Sequence, residues 1–107
     1  MSSDHFTNLT VVQFIEKQKE GAIVIDLRTP GEIQSGKIDN ALEIDCLSAD
    51  FGDRVISLDR TKSYLLYCRS GHRSGQVLEV FRSLGFQNAH HLGGGILEWI
   101  RLGNRVR

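Results

Sequence analysis

Two continuous apolar runs constrain the fold most: Ala22-Ile23-Val24-Ile25-Asp26 and Ser63-Tyr64-Leu65-Leu66-Tyr67. A run without polar alternation describes a strand buried on both faces, and such strands belong to parallel sheets covered by helices. The intervening segments supply those helices. Thr10-Val11-Val12-Gln13 fits a capping box with Thr10 as N-cap, opening a helix of about ten residues that Gly21 stops. Thr29-Pro30-Gly31-Glu32 is a second capped start, with Pro30 at the first helical position, and Gly36 keeps that helix short. Val77, Val80, Phe81 and Leu84 carry a helical period ended by Gly85, and Ile96 to Ile100 open a last helix. Phe81 and Trp99 are core positions. Three short strands complete the pattern: residues 5–9 at an edge, Ala41-Leu42-Glu43-Ile44, and Asn88-Ala89-His90-His91-Leu92. Between Asp45 and Ser57, Ser48 is a candidate cap for a helix through Phe51, Val55 and Ile56, interrupted by Gly52. Asp59-Arg60-Thr61 and Gly93-Gly94-Gly95 read as turns, the latter flexible. Strands alternating with helices define an α/β domain: a central, mainly parallel sheet of five strands, flanked by helices on both faces.

The 107 residues suffice for one domain, 1–107, with one core. No apolar run approaches the roughly 18 residues of a membrane span, and Met1-Ser2-Ser3-Asp4-His5 lacks the basic-then-apolar pattern of a signal peptide. Two cysteines, Cys46 and Cys68, make neither a disulfide scaffold nor a zinc site. The expected setting is therefore cytoplasmic and reducing, without a membrane. The formal net charge is zero but unevenly spread: residues 1–59 carry eleven acids against five Lys/Arg, and residues 60–107 two acids against eight. Cys68 lies in the basic part, which favours a small anionic substrate; chance unevenness on a solvated surface is the bland alternative. Without an aromatic-plus-basic strip, nucleic acid is not an expected partner. His90-His91 sit on a strand, where neighbours point to opposite faces, and no further ligand cluster accompanies them, so no metal is expected. No Gly-x4-Gly-Lys-Ser/Thr run marks a nucleotide site. Nothing demands more than a monomer, and no cofactor is implied.

The chemistry concentrates in Cys68-Arg69-Ser70-Gly71-His72-Arg73-Ser74. This turn follows the second apolar run and faces a helix start. Backbone N–H groups there attract anions, and a thiol held among them and beside cations ionises easily. In parallel sheets, sites lie beyond the carboxyl ends of strands, where this turn falls. Seven residues without a large apolar side chain make a poor core segment, against the reading of Cys68 as a buried inert thiol. Cys46, in Ile44-Asp45-Cys46-Leu47, has apolar neighbours and reads as a packed, reduced thiol; a redox partner for Cys68 is the sharper alternative.

Four blocks in order resemble the rhodanese-like sulfurtransferase domain: Ile25-Asp26-Leu27-Arg28-Thr29-Pro30-Gly31-Glu32, Gly36-Lys37-Ile38-Asp39-Asn40-Ala41, Tyr67-Cys68-Arg69-Ser70-Gly71-His72-Arg73-Ser74, and Leu92-Gly93-Gly94-Gly95-Ile96-Leu97-Glu98-Trp99. In the second block Lys37, Asp39 and Asn40 depart from the family's His, Pro and Gly, and Ile33 stands where an aromatic is common. The resemblance implies a rhodanese-like fold and a Cys68 thiolate that carries sulfur as a persulfide between a donor and a nucleophilic acceptor. It implies that the amides of Arg69 to Ser74 surround the outer sulfur, much as an oxyanion hole holds oxygen. Gly71 would let the backbone approach closely. Arg69 and Arg73 would orient an anionic donor such as thiosulfate and lower the thiol pKa. His72 faces the pocket mouth or is simply exposed, and Ser70 and Ser74 bond either loop backbone or substrate. Asp26 and Arg28 would be supports. Implied partners are a small anionic sulfur donor and an acceptor such as cyanide, a thiol or a protein. One rival is a non-catalytic binding or regulatory module of the same fold. The other is a cysteine phosphatase or arsenate reductase of related fold. Phosphate needs a longer loop: the phosphatase pattern holds one more residue between Cys and Arg than the four between Cys68 and Arg73.

Overall fold

A computed structural model describes residues 5–107; Met1–Asp4, on which the signal-peptide reading rested, lie outside the described residues. Ten elements alternate: β1 (Phe6–Leu9), α1 (Val11–Lys19), β2 (Ile23–Asp26), α2 (Pro30–Ile33), β3 (Leu42–Glu43), α3 (Phe51–Ile56), β4 (Ser63–Tyr67), α4 (His72–Ser83), β5 (Asn88–Leu92) and α5 (Gly95–Arg101). The sheet order is β1-β5-β4-β2-β3, and every pairing is parallel. The expected five-stranded sheet is thus present, with no antiparallel member among the described residues. Both predicted capping boxes form. Thr10 Oγ1 accepts from the Gln13 amide while Gln13 Oε1 accepts from the Thr10 amide. Thr29 and Glu32 repeat the exchange.

The central strands β2 and β4 are apolar but for Asp26 and Ser63, because both faces are covered. Val24, Leu65 and Tyr67 point into one core with Val11 and Phe14 of α1 and Ile96 and Trp99 of α5. Ile25, Tyr64 and Leu66 point into the other with Val55 of α3 and Val77, Leu78 and Phe81 of α4. The period of two sends neighbours to opposite layers, and each layer packs on its own helix pair. Edge-on aromatic contacts tie each layer together: Phe14 of α1 with Trp99 of α5 at 5.9 Å, and Tyr64 of β4 with Phe81 of α4 at 5.8 Å.

Three local expectations change. Ser48 is not the α3 cap; the helix starts at Phe51 after Asp50, with no side-chain cap, while the Ser48 carbonyl accepts from the Phe51 amide at 3.2 Å. Gly52 does not interrupt α3. One helical glycine costs about 1 kcal/mol, which the burial of Val55 outweighs. The glycine run is a turn only at Gly93 and Gly94: Gly94 is already the N-cap of α5 and Gly95 its first residue, in close contact with the cysteine loop. Asn40, at the family's glycine position, has φ 64°; asparagine is among the few residues that tolerate this left-handed conformation.

Candidate active site

Because all strands run the same way, Asp26, Tyr67 and Leu92 end on one side of the sheet, and the following loops meet there. Cys68 follows the central strand β4 directly and is only 1% exposed. The chain turns through Gly71 at φ 99° and enters α4 at His72, folding the helix start back over the sulfur. The amides of Gly71 and Ser74 donate to Cys68 Sγ at 3.2 and 3.4 Å, and Ser74 Oγ lies 3.6 Å from it. Burial favours the neutral thiol, but the amide and hydroxyl of Ser74 and the amides of Gly71 and Ser70 outweigh it, so the thiol ionises below its ordinary value. This is the behaviour expected of a cysteine at a helix N-terminus. The causes that lower it are backbone and hydroxyl donors; the sequence points to such dipoles together with the cations beside them.

Glycines fasten the loop to α5. A methyl group on Gly71 would sit 2.0 Å from the Gly93 carbonyl oxygen, and one on Gly95 (φ 66°) 2.2 Å from the Arg69 carbonyl oxygen. The Ile96 and Leu97 amides donate to the Cys68 and Arg69 carbonyls at 3.0 and 3.2 Å. The first turn of α5 therefore satisfies the loop's outward carbonyls, leaving its amides to turn toward the sulfur. Gly71 is required by this backbone contact as well as by the approach to the thiol.

Arg73 is held, not free. Its guanidinium makes two hydrogen bonds of 2.8 Å to the Glu32 carboxylate. The bond to Arg73 brings Glu32 down to about 2, and the same bond raises Arg73. The capping-box glutamate of α2 thus also fixes the first turn of α4. Arg69, Ser70 and His72 are exposed; Arg69 lines a cleft of about 200 Å³ with Arg28, Glu32 and the α5 residues Leu97 and Ile100. Asp26 and Arg28 form a buried ion pair at 2.7 Å. Arg28 also donates to the Gly36 carbonyl at 2.7 Å, and the Tyr67 hydroxyl donates to Asp26 while accepting from the Ile38 amide at 3.0 Å. These two residues brace the loops beneath the site and do not touch the thiol.

One residue at the site was not anticipated. His91 of β5 places Nδ1 2.9 Å from Ser74 Oγ, inside the protein. Its neighbour His90 faces the other layer and accepts from the Thr7 amide at 3.2 Å; burial holds it down to about 4. The two histidines diverge as a strand requires, and among the described residues no group of metal ligands forms. The sequence signal available was two polar residues in an otherwise buried strand. Cys46 is half-buried against the α3–α4 layer, and burial pushes its thiol up, as suits a packed thiol.

A buried cysteine thus stands at the end of a central parallel strand of an α/β domain, cradled by amides of a short loop and a helix start. The Rhodanese-like domain family matches residues 10–102, and the chain belongs to that family. A sulfurtransferase of Allochromatium vinosum is 33% identical over 84 residues, covering 78% of this chain and 77% of that protein. A tRNA uridine(34) hydroxylase of Erwinia tasmaniensis is 34% identical over 87 residues, covering 75% of this chain and 24% of its own length. The chain therefore spans about three quarters of one curated relative and about a quarter of another. The crystal structure of a rhodanese-related protein from Thermoplasma volcanium superposes with a TM-score of 0.84 at 30% identity, covering 94% of this chain and 97% of that one. No helix among the described residues is long and apolar enough to cross a membrane.

Proposed function

We propose that the protein is a sulfurtransferase that carries sulfane sulfur on Cys68. The observation that carries this reading is the thiol's setting: Sγ accepts two amide hydrogen bonds from a loop with four residues between Cys68 and Arg73, one fewer than the phosphatase pattern uses to wrap a tetrahedral phosphate. The Cys68 thiolate attacks the outer sulfur of a donor such as thiosulfate. The new S–S bond takes its electrons from the thiolate, the donor's S–S bond breaks, and sulfite leaves with that electron pair. The negative charge then rests on the outer sulfur of Cys68, where loop amides stabilise it. A nucleophile such as cyanide or a thiolate takes the outer sulfur and returns Cys68 to the thiolate, giving thiocyanate or a new persulfide. The similarity to a sulfurtransferase over most of both chains supports the reaction class. Donor and acceptor identity, a monomeric state and a cytoplasmic setting belong to the same proposal.

Incubation with thiosulfate followed by intact-protein mass spectrometry is the test. One sulfur atom should be added to the wild type and none to Cys68→Ser, with thiocyanate released on addition of cyanide. Absence of both adduct and thiocyanate would leave the binding-module reading, and Cys68-dependent hydrolysis of an aryl phosphate would favour the phosphatase.

A further inference from the structure

Ser74 is 0% exposed, and its hydroxyl has three neighbours: Cys68 Sγ at 3.6 Å, the Gly71 carbonyl at 3.3 Å and His91 Nδ1 at 2.9 Å. A hydroxyl carries one proton, so only one of these can receive it. The Gly71 carbonyl accepts from the Gly75 amide at 3.0 Å and keeps a second lone pair, so the carbonyl, the sulfur and the histidine compete for that proton. If His91 carries its proton on Nε2, Nδ1 is an acceptor and draws the Ser74 proton away from sulfur. If the proton is on Nδ1, His91 donates to Ser74 Oγ and the hydroxyl is left to the Gly71 carbonyl and Cys68 Sγ, of which the charged thiolate is the stronger acceptor. The tautomer of one imidazole thereby decides whether the thiolate has its side-chain donor.

We propose that His91 is a positioning residue for Cys68: as the Nδ1–H tautomer it donates to Ser74 Oγ and commits the Ser74 hydroxyl proton to the sulfur. Gly75 of α4 stands beside the Cε1–Nε2 edge of the ring, where a methyl would lie in ordinary van der Waals contact, 3.4 Å from Cε1 and 3.6 Å from Nε2. Burial keeps the imidazole neutral by lowering its pKa, consistent with a residue that orients a proton without taking one. A thiolate is a stronger acceptor than an imidazole nitrogen with no charge, so directing the hydroxyl to sulfur is also the arrangement of greater electrostatic gain. The consequence for catalysis rests on the sulfurtransferase reading. Charge leaves Sγ when the persulfide forms and returns to Sγ when the acceptor removes the outer sulfur, so the Ser74 donor assists the second half-reaction, in which Sγ is the leaving group.

The test is a titration of the Cys68 thiolate by ultraviolet absorbance and iodoacetamide reactivity, which needs no sulfur transfer. The wild-type midpoint should lie below the free-thiol value of about 8.5. His91→Leu and Ser74→Ala should each raise it by about one pH unit, the size expected for loss of a hydrogen bond to a charged group. His91→Asn puts an amide nitrogen near the place of Nδ1 and should restore most of the shift; His91→Gln, which reaches the place of Nε2, should not. In the Ser74→Ala background, His91→Leu should add nothing, because the two act in series. A folded His91→Leu with an unchanged midpoint overturns the proposal, as does a His91→Leu shift that persists without the Ser74 hydroxyl. Imidazole nitrogen shifts of the wild type settle the tautomer whatever the variants' stability: a proton on Nδ1 supports the assignment, and one on Nε2 refutes it. Transfer from preformed persulfide to cyanide should slow about tenfold in His91→Leu. If thiosulfate adds no sulfur while the titration shifts appear, the sulfurtransferase reading fails and the positioning of Ser74 stands.

Discussion

Glu32 serves two neighbours at once: it closes the α2 capping box with Thr29 and clamps Arg73 at the start of α4. Its pKa is lowered from 4.5 to about 2, first by the Arg73 hydrogen bonds. A carboxylate with a depressed folded pKa stabilises above its unfolded pKa and loses that contribution as pH falls through the folded one. The pair is partly exposed, so its worth at neutral pH is about 1–2 kcal/mol, below what the shift alone implies. Glu32→Gln should therefore melt at a lower temperature than the wild type at neutral pH. The gap should narrow as pH falls below 4.5 and nearly vanish at about 2. A gap that is constant across this window would show that the carboxylate's charge is not what holds Arg73. The sequence identified Glu32 as a capping residue, a relation spanning three positions. Its second role spans 41 and depends on α2 and α4 beginning beside one another.

Among the elements, the contrast between Gly71 and Gly52 separates glycines that the site requires from those it merely tolerates. Gly71 has φ 99° and no room for a methyl against the Gly93 carbonyl; Gly52 lies inside α3 with nothing within 4 Å of where a Cβ would stand. In urea unfolding, Gly71→Ala should lose about 2 kcal/mol or more, from backbone strain and the forced separation of loop and α5. It should also raise the thiol midpoint, since the Gly71 amide is one of the sulfur's donors. Gly52→Ala should gain about 0.5–1 kcal/mol by restricting the unfolded chain. Equal effects at the two positions would contradict the close contact. The sequence places Gly71 in the cysteine turn and Gly52 in a helix, but the contact of Gly71 with Gly93 appears only in the tertiary structure. Capping boxes could be read directly because donor and acceptor sit within four residues. Ser48 could not be distinguished from Asp50 as the start of α3, because neither side chain caps the helix and the two bond to each other in the turn that precedes it.

At the level of the whole molecule, the site depends on a buried polar brace between the sheet's middle strands. Tyr67 of β4 pairs in register with Asp26 of β2, and its hydroxyl joins that carboxylate to the Ile38 amide on the connection toward β3. Tyr67→Phe would remove a donor from a fully buried carboxylate and leave a buried amide unpaired, at a cost of about 1–3 kcal/mol. The denaturant midpoint should fall accordingly with little change in slope. A loss under about 0.5 kcal/mol would mean that the brace is dispensable, the size expected of an ordinary surface substitution. Arg28 completes the brace through Asp26 and the Gly36 carbonyl, tying the loop after β2 to the turn after α2. The cleft beside Arg69 is bounded by these same segments, so its shape depends on the brace.

The sequence by itself determined the features that act over a few residues. Unbroken apolar runs specify doubly covered strands, Thr with Gln or Glu three positions on specifies helix starts, and a cysteine with four residues between it and an arginine specifies a tight amide-lined loop. Each follows from local hydrogen bonding or from the period of the backbone, and each is present. Tertiary structure decided which polar groups meet. Placing β5 beside β4 puts His91 behind Ser74, 17 positions away, and brings Gly93 against Gly71. Parallel pairing of β2 and β4 brings Asp26 to Tyr67, 41 positions away. The order of strands is chosen by the packing of two hydrophobic layers, to which polar residues contribute little. A histidine in a strand therefore shows that it alternates, but only the neighbouring helix shows what its nitrogen touches.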